Sequence, residues 1–235
     1  MKIAMIHGQN HKGSTYHIAN MLAEKLDGEV TEFFLPRDFH AVCTGCNICF
    51  LQSETKCPHY EALSALTRAM DEADVIILTS PVYVYHVTGA MKAFLDHYGY
   101  RWMIHRPKAA MFRKQAVCIS TAAGGGTRTA NRDMADSTFF WGVGKTYCYG
   151  ALVRALTWTE VSDKRRERIE KDMGRLAKKI KHKQGKVKPC IKTKAYFTFF
   201  RFLQQKGLSE ADTAYWKQKG WLAKNRPWKA HSDEV

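Results

Sequence analysis

The opening of the chain constrains the fold most, because it joins a short apolar run, a polar loop and an apolar stripe. Residues 3–6 are apolar and too few for a helix, so they predict a buried strand. The loop of residues 8–16 holds two glycines. Apolar residues then recur at helical spacing, at Ile18, Met21, Leu22 and Leu26. A strand, a loop and a helix in this order predict the first unit of an α/β domain.

The loop of residues 8–16 is suited to an anion. Its polar residues lie beside backbone N–H groups at a helix N-terminus, where the helix dipole favours negative charge. These residues are Gln9, Asn10, His11, Lys12, Ser14 and Thr15. The loop lacks the Gly-Lys-Ser/Thr of a Walker loop and the Gly-x-Gly-x-x-Gly of a dinucleotide turn. A phosphate fits here, and an ordinary turn with Ser14 or Thr15 as N-cap is the alternative.

Two later apolar runs predict the central strands of a parallel sheet. Residues 73–81 form a β-branched run that ends at proline, and residues 115–121 form a second buried run. Ligands gather beyond the carboxyl ends of such strands. The segment of residues 82–89 and the three glycines within residues 122–128 therefore fall where a ligand would bind.

The rest of the chain continues the alternation. It predicts strands at residues 29–35 and 146–150, helices at 60–71, 90–97, 131–141 and 162–183, and loops at 36–60 and 99–114. The last helix would be capped by Ser162 or Asp163. We therefore predict an α/β fold, a doubly wound five-stranded parallel sheet over residues 1–183. Residues 184–235 are basic and aromatic and predict a C-terminal helical and aromatic appendage.

Composition and charge limit the cellular compartment and the kinds of partner that we expect. No stretch approaches the roughly 20 apolar residues of a membrane span, and no leader-like segment precedes the first strand. Seven cysteines without such a leader indicate thiols or ligands in a reducing compartment, so we expect a cytoplasmic protein. Residues 163–194 hold fourteen Lys or Arg against four Asp or Glu. We favour a solvated helix face there and expect neither a nucleic-acid nor a membrane partner, although binding to either is the alternative function of another class.

Two motifs give the chain a family resemblance. The loop Gly8-Gln9-Asn10-His11-Lys12-Gly13-Ser14-Thr15 is similar to a Gly-Ser-Pro-Arg-x-x-Gly-Asn-Thr phosphate loop. Ser80-Pro81-Val82-Tyr83 is followed by Gly89-Ala90-Met91-Lys92-Ala93-Phe94-Leu95-Asp96. With the cysteine segment and the glycine loop, residues 1–180 resemble the flavodoxin-like NAD(P)H-dependent FMN reductases. The resemblance implies a flavodoxin-like sheet, bound FMN and NAD(P)H as co-substrate.

The resemblance also implies a set of site residues. The FMN phosphate would be held by Gln9, His11, Ser14 and Thr15, and Tyr16 beside them would also bind the cofactor. The isoalloxazine ring would lie along Pro81, Val82, Tyr83 and Val84, with Thr121, Gly124, Gly125 and Gly126 at its other edge. Gln9 and Ser14 replace the family's Ser and Asn, but both can hydrogen-bond a phosphate. No catalytic side chain is named. Tyr83 and His86 are candidates for contacting nicotinamide or acceptor, and the alternative for Tyr83 is an aromatic packed in the core.

Four cysteines form a separate motif. Cys43, Cys46, Cys49 and Cys57 have the spacing C-x2-C-x2-C-x7-C, which can bring thiolates around one metal centre. This resembles iron–sulfur flavoproteins, in which such residues hold a [4Fe–4S] cluster, so an electron carrier is the second function considered. We favour plain thiols, because the loop is polar and exposed clusters are hard to keep. Zinc with His40 or His59 is a third alternative.

The leading interpretation is an FMN-dependent oxidoreductase. It would transfer a hydride from NADH or NADPH through FMN to a small-molecule electron acceptor, such as a quinone, a flavin or a nitroaromatic. We also expect a homodimer, because look-alike reductases commonly complete their flavin sites with a partner chain. The aromatic tail of residues 196–221 supports this, since one small domain cannot readily hide so much apolar surface.

Overall fold

The computed structural model describes residues 1–229. The strands are β1 (Lys2–His7), β2 (Glu29–Phe34), β3 (Val75–Pro81), β4 (Gln115–Ala122) and β5 (Lys145–Leu152). The helices are α1 (Ser14–Leu26), α2 (Ile48–Leu51), α3 (Tyr60–Glu72), α4 (Gly89–Asp96), α5 (Thr127–Phe140), α6 (Asp163–Lys183), α7 (Ile191–Gln205) and α8 (Glu210–Gln218). The five strands form one sheet in the order β2-β1-β3-β4-β5, and every neighbouring pair is parallel. This is the flavodoxin-like strand order, so the predicted fold class is confirmed.

The sheet is covered on both faces because its central strands alternate apolar side chains between two layers. Ile6, Ile76 and Leu78 face the layer of α3, α4 and α5. Met5 and Ile77 face the layer of α1 and α6. Each fully buried aliphatic side chain contributes about 1.5–3 kcal/mol relative to exposure. Because both faces of the central strands are buried, their sequences are unbroken apolar runs.

Several predicted boundaries were wrong for identifiable reasons. α5 begins at Thr127 instead of residue 131, because Gly126 sits at its N-cap with φ 89° and the first turn is polar. α1 begins at Ser14 with Gly13 as N-cap, so neither Ser14 nor Thr15 caps it. The N-cap of α6 is Ser162, one of the two predicted residues, although its side chain makes no capping hydrogen bond.

The two segments predicted as loops contain short helical turns. The first includes α2 and a 3₁₀ turn at Glu54–Lys56. The second includes 3₁₀ turns at Gly99–Arg101 and Ala109–Arg113. Both segments have apolar residues in stretches too short to show a helical period.

The C-terminal helices pack onto the body of the chain. Phe197, Trp216 and Trp221 form a cluster with Met103 and Phe112. Trp216 Nε1 donates to the carbonyl of His105 at 2.6 Å, which fixes α8 to the same segment. The division after residue 183 stays a prediction, and residues 230–235 of the predicted appendage lie outside the described residues.

Candidate functional site

Three loops follow neighbouring strands at the carboxyl edge of the sheet. β1 pairs with β3 through His7 and Thr79, and β3 pairs with β4 through Pro81 and Thr121. Because these strands are parallel and adjacent, the loops after them emerge side by side. This edge brings together the regions that the sequence singled out after β1, β3 and β4.

The β1 loop leaves the sheet in close contact with β3. Gly8 N–H donates to the carbonyl of Thr79 at 2.6 Å, and a Cβ on Gly8 would lie 2.8 Å from that oxygen. The Thr88 hydroxyl donates to the Gly8 carbonyl and accepts from Met91 N–H at 3.1 Å. Only glycine therefore fits at residue 8, and the loop is fastened to the start of α4.

The N-terminus of α1 carries N–H groups without partners. Gly13 offers no side-chain cap, and within residues 1–229 no acceptor serves the N–H groups of Ser14, Thr15 and Tyr16. Ser14 and Thr15 are buried, and Thr15 Oγ1 lies 2.6 Å from Thr121 Oγ1 at the end of β4. The helix terminus is therefore held against β4 with its N–H groups uncommitted, which suits an anion.

The exposed residues of the β1 loop reach toward the β3 loop. Gln9 Nε2 lies 2.8 Å from His11 Nδ1, and the Tyr83 hydroxyl donates to Gln9 Oε1 at 3.3 Å. Lys12 Nζ lies 5.1 Å from the ring centre of Tyr16. Gln9 thus links two of the three loops, and the first loop offers neutral donors with one lysine at its rim.

The β3 loop is a tight hairpin with a strained turn. Tyr83 and His86 exchange two backbone hydrogen bonds of 3.0 Å, which leaves Val84 and Tyr85 as the turn. Both turn residues have positive φ, 48° and 66°, where non-glycine residues cost on the order of 1–3 kcal/mol each. Tyr83 is 52% exposed and Val84 is 93% exposed. The alternative of Tyr83 as a core aromatic is therefore wrong.

Asp133 of α5 contacts this hairpin through two hydrogen bonds. Sequence analysis did not identify this residue. Its Oδ2 lies 3.0 Å from His86 Nδ1 and accepts from Val87 N–H at 3.3 Å. Asp133 lies on α5 and no motif distinguishes it from other polar residues there. Its contact with His86 appears only once the fold brings α5 beneath the β3 loop.

The β4 loop packs against the hairpin at one glycine. Gly126 has φ 89°, and a Cβ there would lie 2.7 Å from Val82 Cγ1 and 3.1 Å from Tyr85 Cα. Gly124 has open space around the same position. Gly126 is therefore required by contact with the hairpin, whereas Gly124 leaves its backbone accessible.

One buried histidine supports the edge from inside. His7 Nδ1 lies 3.0 Å from Thr79 Oγ1, and its Nε2 lies 2.9 Å from Glu32 Oε1. Burial lowers the pKa of His7, and the hydrogen bond that its ring donates to the Glu32 carboxylate opposes that shift only in part. His7 was not recognised from sequence, since a single histidine at a strand end gives no distinct signal.

The cysteine loop follows β2, the strand that pairs with β1 at the side of the sheet. Cys43 and Cys46 are exposed, Cys49 and Cys57 are half-buried, and all four are free thiols. Burial raises the pKa of Cys49, and the charges of the other three cysteines raise it further. Nevertheless, the described part of the chain contains no group of three His, Cys, Asp or Glu side chains arranged to hold a metal ion.

Neither histidine considered for zinc joins the cysteines in such a group. His59 Nδ1 instead lies 2.9 Å from His97 Nε2, and His40 is exposed. The zinc alternative is therefore not supported by the placement of these side chains.

A buried ion pair anchors the cysteine loop to the C-terminal helices. Arg106 donates to the carbonyls of Cys49 and Phe50 and to the carboxylate of Asp212 on α8. Asp212 is 1% exposed and also lies 2.7 Å from His105 Nδ1. Sequence analysis missed this tie because Arg106 and Asp212 lie 106 residues apart.

The basic stretch does not form a membrane span. Among residues 1–229, no helix has both the length and the apolar character needed to cross a bilayer. α6 turns Ile169, Met173, Ala177 and Ile180 inward and most of its charges outward. A solvated face is thus a sufficient account of α6 itself.

Comparison with known sequences gives relatives that match only part of this chain. An iron–sulfur flavoprotein of Methanocaldococcus jannaschii is 34% identical over 116 residues, which cover 47% of this chain and 54% of that protein. One from Archaeoglobus fulgidus is 42% identical over 62 residues, which cover 25% of this chain and 27% of that protein. The matched regions thus span only about a quarter to a half of these curated relatives.

Comparison with solved structures supports the fold. An azoreductase from Bacillus anthracis str. Sterne superposes with a TM-score of 0.56 at 11% identity, over 76% of this chain and 100% of that one. A flavoenzyme NAD(P)H:(acceptor) oxidoreductase from Paracoccus denitrificans gives 0.52 at 15% identity, over 77% and 97%. At such identities the likeness concerns the fold alone.

The family assignment depends on a longer match. The model of the family described as NADPH-dependent FMN reductase matches residues 1–143, which include β1 to α5 and all three loops of the carboxyl edge. Because this match covers more than half of the chain, the protein belongs to the NADPH-dependent FMN reductase family.

Proposed function

We propose that this chain binds FMN at the carboxyl edge and transfers a hydride from NADH or NADPH to a small organic electron acceptor. The observation that carries the proposal is the set of unpartnered N–H groups at the start of α1, facing an edge built from three loops. Family membership and the flavoenzyme names of the relatives support the same conclusion.

The β1 loop has the donors that a phosphate monoester requires. The N–H groups of Ser14, Thr15 and Tyr16 have no acceptor within residues 1–229. The side chains of Gln9 and His11 lie at the rim and can add hydrogen bonds to a bound phosphate. A phosphate here would accept hydrogen bonds and gain from the helix dipole without displacing an existing partner.

The other two loops suit a flat ring. Pro81, Val82, Tyr83 and Val84 would line one side, and Thr121, Gly124, Gly125 and Gly126 would line the other. The space around Gly124 allows backbone to approach a ring closely. The hairpin is fixed by its own hydrogen bonds and by Asp133, so its residues would orient the ring without rearrangement.

When bound, FMN supplies the hydride-accepting and hydride-donating chemistry. The chain's residues then need to bind the cofactor, orient it and leave one ring face open. Tyr83 and His86 are the side chains that we propose for contact with nicotinamide or acceptor, because both are exposed beside the hairpin turn. A quinone, a free flavin or a nitroaromatic would fit such an open aromatic rim.

We also propose a homodimer in the cytoplasm. The hairpin exposes Tyr83, Val84 and Tyr85 by 52%, 93% and 68%, so the edge is uncovered on one side in a single chain. A second copy lying over this hairpin would complete the site and shield these residues. Light scattering tests the assembly, and a monomer at working concentration would contradict it.

Binding of FMN and of riboflavin together tests the main proposal. If the α1 N-terminus holds a phosphate, FMN should bind at least about tenfold more tightly than riboflavin, since they differ only in that group. Flavin fluorescence quenching measures both affinities, and NAD(P)H should bleach the bound flavin. Absence of FMN uptake would refute the proposed function. Equal affinity for the two flavins would refute the phosphate assignment only.

A second candidate is the iron–sulfur flavoprotein, which is favoured by the spacing of Cys43, Cys46, Cys49 and Cys57 and by the names of the curated relatives. The side chains as placed do not fit a cluster, because no three ligands in residues 1–229 lie in a metal-binding arrangement. Iron and acid-labile sulfide in protein prepared without oxygen decide the matter. Their loss in Cys46→Ser would support this candidate, whereas protein without iron would exclude it.

A further inference from the structure

The helix α7 has apolar residues on two opposite sides. Its inner side buries Thr193, Phe197, Phe200 and Gln204. Its outer side carries Ile191, Ala195, Phe199 and Phe202, which recur at intervals of four, four and three and so share one face. Ile191, Phe199 and Phe202 are 86%, 57% and 51% exposed. We call these four residues the α7 outer face.

Aromatic residues with polar atoms lie beside this face. Tyr196 is 39% exposed, and its ring centre lies 6.3 Å from that of Phe140. Trp102, 37% exposed, stacks on Phe140 at 4.3 Å. Tyrosine and tryptophan of this kind favour the boundary between water and an apolar phase. The α7 outer face therefore continues into an amphipathic rim.

Basic residues outnumber acidic residues along α7 and the segments that flank it. Residues 186–209 contain six Lys or Arg and no Asp or Glu. Residues 186–229 contain eleven Lys or Arg and two acidic residues, of which Asp212 is buried against Arg106 and His105. Lys206 Nζ lies 4.4 Å from the ring centre of Phe202. Basic residues thus flank the exposed phenylalanines along the chain, and Lys206 lies directly beside Phe202.

We propose that the α7 outer face binds the surface of an anionic lipid bilayer. Its phenylalanines and Ile191 would enter the boundary of the acyl chains, and the flanking lysines would lie at the anionic headgroups. Tyr196 and Trp102 would occupy the headgroup level. α7 lies on the surface in this arrangement and does not span the bilayer, in agreement with its length of 15 residues.

The same observations disfavour other occupants. A second copy docked through this face would place one lysine-rich rim against another, which is repulsive at close range. A nucleic acid would use the lysines but needs a groove with stacking platforms, whereas here aliphatic Ile191 and Ala195 share a convex helix face with the rings. The solvated basic face expected from the sequence suits α6, whose charges are mostly exposed, whereas α7 combines charge with exposed phenylalanine.

Vesicle sedimentation with the full chain tests the proposal. We expect binding to vesicles of phosphatidylcholine with phosphatidylserine, weak binding to phosphatidylcholine alone, and release by salt. Phe199→Gln with Phe202→Gln should weaken binding at least about tenfold, and so should Lys188→Gln with Lys194→Gln. The matched controls are Leu156→Gln, which changes a leucine that is 92% exposed elsewhere, and Lys164→Gln with Lys171→Gln on α6. Both controls should bind like the unaltered chain.

The remaining outcomes overturn the proposal. Absence of vesicle binding, or binding that survives the Phe199 and Phe202 changes, would exclude this face. Dimers that become monomers in the phenylalanine variant, without vesicle binding, would identify a second copy instead. An oligonucleotide bound more tightly than the vesicles and lost in the same variant would identify a nucleic-acid surface. FMN affinity is measured in parallel, so failure of this proposal is separate from failure of the proposed function.

Discussion

The loops beside the α1 N-terminus are held mainly by hydroxyl and backbone groups, with the carboxylate of Asp133 at the hairpin, whereas the C-terminal helices and the segment that they cover are held by buried charges. At the carboxyl edge, Thr15 lies 2.6 Å from Thr121, and Thr88 N–H donates to Ser80 Oγ at 2.9 Å. On the other side, Arg106 pairs with Asp212, and Arg101 donates to Asp71 at 2.7 Å.

This difference shows how each region can use charge. Within residues 1–229, no lysine or arginine of the three loops forms an ion pair, so the N–H groups and the helix dipole at this edge stay available to an anionic ligand. The C-terminal side uses charges as ties between distant segments. Burying them is costly, and removing one partner leaves the other uncompensated. We therefore expect charge changes to affect stability on the C-terminal side and steric changes to affect ligand binding at the carboxyl edge.

The largest expected effect is at Asp212. Asp212→Ala removes the carboxylate to which Arg106 donates and leaves this guanidinium, 8% exposed, with the more distant carboxylate of Glu54, which lies 3.8 Å from Arg106 Nε. The change should lower the free energy of unfolding by about 3 kcal/mol. Urea denaturation measures this, with Glu210→Ala on the same helix as the exposed control. Asp212→Asn keeps an acceptor and should lose less. If Asp212→Ala and Glu210→Ala have equal stability, the buried tie does not hold α8.

At the carboxyl edge, Gly126→Ala tests whether sterics govern ligand binding. Gly126 and Gly185 both have positive φ, so alanine at either should cost about 1–2 kcal/mol. Only at Gly126 would the new Cβ also meet Val82, at 2.7 Å, whereas nothing lies within 4 Å at Gly185. Displacement of the hairpin should weaken FMN binding roughly tenfold or more in Gly126→Ala and leave it unchanged in Gly185→Ala. Equal FMN affinities would show that the two loops are not coupled.

The buried charge of Lys114 should also make the stability of the protein depend on pH. Burial lowers the pKa of Lys114 to about 8, and its ammonium donates to the carbonyls of Asp71 and Ala73. In the unfolded chain the pKa of lysine is about 10.4. Between about pH 8 and 9.5 the unfolded chain therefore binds more protons, and the free energy of unfolding should rise by up to about 1.4 kcal/mol per pH unit.

Lys114→Met should remove this rise, while Lys108→Met, which changes an exposed lysine of the same segment, should keep it. Denaturation of the three proteins across this pH range measures the slopes. The threonines of the carboxyl edge do not titrate in this range and so add nothing to the pH dependence of the free energy of unfolding. A slope that persists in Lys114→Met would assign the effect to another group.

The sheet and its edge could be predicted from sequence because apolar periodicity reports burial directly. β3 was predicted at residues 73–81 and lies at Val75–Pro81, and parallel pairing then brings three loops together without further information. The start of α5 could not be predicted, because it depends on the positive φ of Gly126 and not on an apolar stripe. Which edge residues hold a ligand stays a prediction.

The polar contacts between distant residues could not be predicted from sequence, for a different reason. His86 and Asp133 lie 47 residues apart, and Arg106 and Asp212 lie 106 apart. Neither pair belongs to a periodic pattern, and charged residues of the same type are common on nearby exposed surfaces. Such contacts become apparent only after the packing of whole helices is known.

The smallest effect expected is at Asp133, which joins a charge to the otherwise neutral edge. Asp133→Ala removes the acceptor of His86 and of Val87 N–H, each a contact that typically contributes about 0.5–1.5 kcal/mol. Because Asp133 is part-exposed and the hairpin keeps its own two backbone hydrogen bonds, stability should change little. The turn, with Val84 and Tyr85 at positive φ, should instead lose its fixed position, and the KM for NAD(P)H should rise about fivefold with less change in kcat.

Two further variants control this prediction. Asp133→Asn keeps an acceptor, so its KM should lie close to that of the unaltered chain, whereas Asp136→Ala, on the exposed side of α5, should have no effect. If Asp133→Asn is as impaired as Asp133→Ala, the charge of Asp133 acts at the site directly, and the contrast between a neutral edge and a charged C-terminal side does not extend to the hairpin.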